Sequence, residues 1–115
     1  MLAIEAVLAA TEPVPLLVFD EVDAGLGGRA AVQVGARLAR LAEHHQVLVV
    51  THLAQVAAAG HAQIAVSREV GDRIRAADVA VLTGAPRLAE LARMLSGKDT
   101  PTARQHAAEL LEHAR

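Results

Sequence analysis

The sequence predicts an α/β fold in which parallel strands lie next to an antiparallel pair, followed by C-terminal helices. Two apolar runs, LLVF at 16–19 and QVLVV at 46–50, flank an amphipathic stretch of helical length, which is the pattern of a βαβ unit. Further along, Ile64 and Val66, and then Val79 and Val81, alternate with other residues, as in antiparallel strands. A chain of 115 residues has the length of one domain.

The first half is predicted to alternate helices with buried strands. Residues 1–12 have helical spacing and end at Pro13; no capping residue precedes them, so we expect the segment to continue from a longer chain. The apolar runs at 16–19 and 46–50 are predicted to be buried on both faces, as parallel strands are. The helix between them is expected over 29–45. Its apolar face would comprise Ala31, Val34, Leu38, Leu41 and Ala42.

The second half is predicted to start with a short helix, LAQVAAAG, ended by Gly60. The antiparallel strands follow on either side of the polar stretch REVGDRIR at 68–75. A helix is expected to begin at Pro86 and to end at Gly97. Thr100 and Pro101 have the residue types of an N-cap and a first helical position, so they predict a final helix that includes Leu110 and Leu111.

Composition excludes several kinds of function. The chain has 13 acids, 11 bases and a net charge of −2, so it is not expected to supply the main phosphate contacts to DNA. One Phe and no Trp or Tyr leave little for base stacking. The absence of Cys excludes disulfides and thiolate metal sites and is consistent with the cytoplasm. The apolar runs are too short to span a membrane, and no signal peptide is evident.

Polar residues follow both predicted parallel strands: Asp20-Glu21 after the first and Thr51-His52 after the second. Ligands of open α/β sheets bind outside the carboxyl ends of the strands, so we expect these residues to converge. The alternative is that Asp20 and Glu21 are ordinary loop acids. His44 and His45 are expected only to favour a helix C-terminus. The other histidines, at 61, 106 and 113, lack zinc-ligand spacing.

Adjacent carboxylates at a strand end suit magnesium and phosphate chemistry. One acid can hold a hard cation through water, and the next can orient a water that attacks phosphorus. This chemistry needs a phosphate-binding loop, and no GK[ST] occurs in the chain. The glycine-rich stretch GLGGRAA at 25–31 fits neither a P-loop nor the GxGxxG dinucleotide fingerprint. The phosphate-binding loop is therefore expected elsewhere.

The motifs together resemble those of ABC-type ATPases. LLVFDE is similar to a Walker B motif, VDAGLGG lies where the D-loop would be, and VLVVTH is similar to the switch-histidine strand. The form FDEVDAGLGGRAA with THLAQVAAAGH, and the tail LAELARMLSG, resemble the C-terminal end of the RecN family. RecN proteins are bacterial double-strand-break repair ATPases related to SMC proteins. The likeness extends over essentially the whole chain.

The resemblance implies a role for each matching residue. Asp20 would support Mg²⁺ through water, Glu21 would polarise the attacking water, and His52 would contact the γ-phosphate of ATP. The D-loop would face a second ATPase head; its candidate residues are Asp23, Ala24, Gly25, Gly27 and Gly28. Where the common ABC and SMC pattern ends this loop in Leu-Asp, Leu26 is followed here by Gly27, which leaves open the contact that the Asp usually makes.

The same resemblance implies partners. We expect residues 1–115 to be the C-terminal part of an ABC/SMC-type head, with the Walker A loop and a long coiled coil upstream and a signature loop just before Met1. Two such heads would form a head-to-head homodimer around two ATP molecules, and the full-length protein would bind DNA in the bacterial cytoplasm, at the nucleoid. No membrane partner is expected. The isolated chain is predicted to be inactive.

Two other function classes share some of these sequence features. A response-regulator receiver has a similar length and paired acids, but it needs a phospho-accepting Asp after a later strand. The second strand here ends in Thr51-His52, which excludes that class. A non-catalytic interaction or dimerisation module of another ABC- or SMC-family ATPase stays open as the alternative.

Overall fold

The computed structural model of the protein describes residues 16–21, 24–67 and 78–114. The predicted helix over 1–12 and the polar stretch 68–75 lie outside these residues. The strands are β1 (Leu16–Asp20), β2 (Gln46–Val50), β3 (Gln63–Ser67) and β4 (Asp78–Leu82). The helices are α1 (Gly28–Leu41), α2 (Ala54–Ala57), α3 (Gly84–Ser96) and α4 (Pro101–His113).

The described strands form two separate two-stranded sheets. β1 and β2 are parallel, with Leu17 opposite Val47, and α1 connects them, so the βαβ prediction is confirmed. β3 and β4 are antiparallel, with Val66 opposite Val79, so the antiparallel prediction is confirmed as well. In the described part of the chain, no helix is long and apolar enough to cross a membrane.

The prediction that β1 and β2 are buried on both faces is wrong. Phe19 is 4% exposed and packs with Ala31 and Leu38 of α1. On the opposite face Val18 is 59% exposed and Val50 is 55% exposed. Successive side chains of a strand point to opposite faces, and α1 covers one face of this sheet. The apolar sequences of β1 and β2 therefore do not imply that both faces of these strands are buried.

The interior consists of two clusters that meet at α2. The strand core comprises Phe19, Ala31, Leu38 and Val56. The helix core comprises Ala54, Ala58, Leu91, Ala92, Ala103 and Ala107. The one-turn helix α2 and its C-cap thus supply Val56 to one cluster and Ala54 and Ala58 to the other. This short segment joins the sheet to the pair formed by α3 and α4.

Helix ends follow the predicted chemistry, although several boundaries shift by a few residues. Gly97 ends α3 with φ 78°, and the Thr100 hydroxyl accepts a hydrogen bond from the N–H of Ala103 at 3.2 Å; both predictions are confirmed. α3 begins at Gly84 rather than at Pro86, because the first-turn N–H groups have no intrahelical partner and a proline is tolerated there. α1 ends at Leu41 rather than at residue 45, since the chain must turn before β2.

Gly35 allows α1 and α2 to approach closely. A Cβ at this position would lie 3.1 Å from the Cβ of Ala59 and 3.1 Å from the carbonyl oxygen of Gln55. Neither atom belongs to a flexible side chain, so α1 or α2 would have to shift. The absence of a side chain at Gly35 is therefore what permits α2 to pack against α1.

We expect Gly35→Ala to lower the free energy of unfolding by about 1–3 kcal/mol, because overpacking a closely fitted site outweighs the gain in helix propensity. Urea denaturation measures the change. Adding Ala59→Gly removes one of the two close contacts and should restore part of the loss. A Gly35→Ala chain as stable as the parent would contradict the close packing.

Candidate active site

The parallel register of β1 and β2 brings the predicted residues to one edge of the sheet. Asp20 is opposite Val50, so Glu21 and the Thr51-His52 pair emerge from neighbouring strands at the same end. Such strands lie about 4.8 Å apart. The prediction that the two strand ends lie side by side is therefore confirmed.

Asp20 and Glu21 are both exposed, and Glu21 has an unusual backbone conformation. Its φ is 57°, and among the described residues it alone has a positive φ without being glycine. Its carbonyl accepts a hydrogen bond from the N–H of Ala24 at 3.1 Å. A left-handed conformation costs a residue with a side chain about 1–2 kcal/mol. Strain of this kind is concentrated at functional sites.

The described part of the loop after the acids begins at Ala24 and is open. Ala24 and Gly25 lie in a turn, Gly27 caps α1, and Gly28 is the first residue of that helix. A Cβ at any of these three glycines would meet no atom within 4 Å. Glycine is favoured by the positive φ of Gly25 (75°) and of Gly28 (55°), not by close packing. Asp23 lies outside the described residues.

His52 is exposed and lies in a short, well-defined connection between β2 and α2. The N–H of Leu53 donates to the hydroxyl of Thr51 at 3.0 Å. The carbonyl of Leu53 accepts from the N–H of Val56 at 3.2 Å and from that of Ala57 at 3.0 Å. The backbone of His52 is therefore fixed by β2 on one side and by α2 on the other.

His52 also lines a cleft of ≈ 660 Å³ between β2, β3 and α3. The charged residues on its α3 side are Glu90 and Arg93, joined by a hydrogen bond of 2.8 Å from Nε of Arg93 to Oε2 of Glu90. That bond holds the pKa of the Glu90 carboxyl below its usual value. Asp20 and Glu21 are not part of the cleft lining. Glu90 and Arg93 are not among the site residues that the sequence predicts, although their spacing of three in LAELAR is that of a helical ion pair.

The donor set at the strand ends suits a hard cation that is held largely by other ligands. Asp20 and Glu21 offer carboxylate oxygens, which Mg²⁺ prefers. Across residues 16–21, 24–67 and 78–114, no three His, Asp or Glu side chains lie close enough to hold a metal ion by themselves. Because Mg²⁺ commonly binds through one or two carboxylates together with water and phosphate oxygens, these residues fit a magnesium–nucleotide site.

Comparison with known proteins shows which proteins the chain is related to. No protein-family model matches it. The DNA repair protein RecN of Streptomyces coelicolor is 56% identical over 116 residues, covering 100% of this chain and 20% of that protein. RecN of Deinococcus radiodurans is 53% identical over 111 residues, covering 96% of this chain and 19% of its own length. The chain is homologous to a segment of RecN. RecN of Mycobacterium leprae is similar as well, with 55% identity over 116 residues.

The RecN homology extends over the whole chain, and the chain spans about a fifth of the length of these curated relatives. The fold also matches a solved chain from a study of "ATP-driven dimerization and DNA stimulated activation of SMC ATPases", with a TM-score of 0.62 and 24% identity. That match covers 71% of this chain and 48% of the other. The predicted mixed α/β fold class is confirmed, and the fold is similar to that of this solved chain.

The strain at Glu21 can be tested by comparing two variants that both remove the carboxylate. We expect Glu21→Gly to be more stable than Glu21→Ala by about 1 kcal/mol, because only glycine adopts a positive φ without penalty. At the exposed helical position Ala36, replacement by Gly should instead cost about 1 kcal/mol. Chemical denaturation measures all three. Equal stability of the two Glu21 variants would contradict the left-handed backbone conformation of Glu21.

Proposed function

We propose that the chain is the C-terminal part of an ATPase head that hydrolyses ATP in DNA double-strand-break repair. The observation that carries the proposal is the parallel register of β1 and β2, which brings Asp20-Glu21 and Thr51-His52 to one edge of the sheet. Homology to a segment of RecN supports the DNA repair role. The SMC-type fold supports an ATP-binding head.

Each residue at this edge has its own role in the proposal. Asp20 supports Mg²⁺ through water. When bound, Mg²⁺ neutralises charge on the phosphate oxygens of ATP. Glu21 accepts a hydrogen bond from the attacking water and polarises it, which a carboxylate at an exposed strand end can do. His52 hydrogen-bonds to the terminal phosphate from the neighbouring strand.

The exposed apolar faces support an intramolecular partner. Among the described strands β2 pairs with β1 alone, which leaves its other edge free. Ile64, Val66, Val79 and Val81 are 53–68% exposed on one face of the second sheet. Apolar faces and free edges of this size are seldom left in water. We propose that the upstream half of the same head completes the structure and supplies the Walker A loop, since GK[ST] does not occur in this chain.

A second copy of the head is the other proposed partner. The loop from Asp23 to Gly28 faces that copy, and the open space around Gly25, Gly27 and Gly28 is consistent with a loop that contacts another subunit. The related SMC ATPases are described as undergoing ATP-driven dimerisation. DNA binds through the full-length protein, which also includes the coiled coil and acts at the bacterial nucleoid.

The exposed sheet faces also favour one alternative, a non-catalytic interaction module. Mixing the chain with its upstream half and measuring phosphate release separates the two possibilities. We expect no turnover by the chain alone, because it lacks a phosphate-binding loop, and clear turnover by the assembled head. Turnover by the isolated chain would exclude the half-site proposal, and an assembled head that binds ATP without hydrolysing it would favour the interaction module.

Glu21→Gln in the complete ATPase tests the catalytic carboxylate. The amide keeps the size of the side chain but cannot accept a proton, so hydrolysis should fall by at least about 100-fold while ATP binding is retained. Single-turnover phosphate release and equilibrium nucleotide binding measure the two effects. Glu43→Gln, an exposed acid in the turn after α1, is the matched control. Unchanged hydrolysis by Glu21→Gln would exclude this residue as the base.

A further inference from the structure

Arg87 of α3 binds the C-terminal end of α2. Its Nη2 donates hydrogen bonds to the carbonyl oxygens of Ala57 at 3.2 Å and of Gly60 at 2.7 Å. The carbonyls at the end of a helix have no intrahelical donor and carry partial negative charge, so a guanidinium suits this position. Arg87 thus donates to the carbonyl of the last residue of α2 and to that of Gly60, three residues later.

The same guanidinium is held by a buried side chain of β3. Nε of Arg87 donates to Oε1 of Gln63 at 3.2 Å, and Gln63 is 7% exposed. The amide nitrogen of Gln63 in turn contacts Sδ of Met94 at 3.8 Å. A planar guanidinium with several fixed donors can donate to Gln63 and to the carbonyls of Ala57 and Gly60 together, whereas an ammonium cannot. We call Arg87, Gln63 and the two carbonyl acceptors the Arg87 clamp.

The segment that the clamp holds leads directly to His52. α2 has four residues, Ala54–Ala57, and a single turn does not persist without tertiary contacts. The N–H groups of its last two residues, Val56 and Ala57, donate to the carbonyl of Leu53, the residue after His52. The hydrogen bonds of α2 therefore connect its clamped end to the His52 backbone within five residues.

We propose that Arg87 is a positioning residue for His52, which it orients by fixing the C-terminal end of α2 with its guanidinium. The inference rests on the proposed role of His52 at the terminal phosphate of ATP. Arg87 itself does not touch the nucleotide. Its contribution to hydrolysis passes through α2 to His52.

A double-mutant cycle in the complete ATPase tests the inference. The variants are Arg87→Lys, His52→Ala and the two combined, and kcat for ATP hydrolysis is measured at saturating ATP. We expect His52→Ala to lower kcat by at least about 10-fold and Arg87→Lys by about 3- to 10-fold, since small misplacements of catalytic groups are costly. In the His52→Ala background, Arg87→Lys should change kcat by less than about 2-fold, because coupled residues are non-additive.

The matched control is Arg104→Lys. Arg104 is exposed on α4 and pairs with Asp99, so the same substitution there should leave kcat unchanged. If Arg87→Lys lowers kcat by the same factor with and without His52, Arg87 does not act through His52 and the positioning role is excluded, while the proposed function stands. If His52→Ala hydrolyses ATP normally, the proposed function of His52 fails, and the positioning role fails with it.

Hydrogen exchange gives a readout that does not depend on activity. In the same complete protein, Arg87→Lys should speed amide exchange at Val56 and Ala57, the donors to Leu53, by about 10-fold, since losing clamp contacts favours local opening. Exchange in α4 should not change. Unaltered exchange at Val56 and Ala57 in the Arg87→Lys variant would overturn the proposal.

Discussion

The structure depends on the position of α2, a single helical turn that is not stable in water without tertiary contacts. Its place is set from three sides: by the close approach of α1 at Gly35, by the packing of Val56 in one core and of Ala54 in the other, and by the guanidinium of Arg87. Because α2 follows β2 after three residues, these contacts also hold the connection that contains His52. Core packing therefore contributes to the geometry of the site.

The site itself combines a rigid part with a strained one. The parallel pairing of β1 and β2 fixes the strand ends, and Glu21, directly after β1, has a left-handed backbone conformation. The left-handed φ of Glu21 makes the folded chain less stable than a glycine at this position would. A chemical role for the carboxylate, which is the role we propose, explains why this position is not glycine. The open glycine loop that follows suits a contact with another subunit more than a phosphate of the same site.

Local chemistry predicted much of the fold, and contacts between distant residues explain what it missed. The Thr100 cap, the Gly97 stop and the βαβ pattern were readable because each depends on a few neighbouring residues. The convergence of Asp20 with the end of β2 followed from the rule for parallel sheets. Burial of Val18 and Val50 was predicted wrongly, because an apolar run does not reveal how many layers cover a strand. The Arg87 clamp joins residues 24 to 30 positions apart, a separation that no local pattern encodes.

The central claim is that the carboxyl edge of β1 and β2 is one side of an ATP-hydrolysing site. The most direct test is a crystal structure of the complete polypeptide with Mg²⁺ and a non-hydrolysable ATP analogue. We predict the terminal phosphate within hydrogen-bonding distance of His52, about 2.6–3.2 Å, with the carboxylates of Asp20 and Glu21 facing the magnesium-bound and attacking waters. A nucleotide bound away from this edge, with Asp20, Glu21 and His52 all remote from its phosphates, would contradict the account.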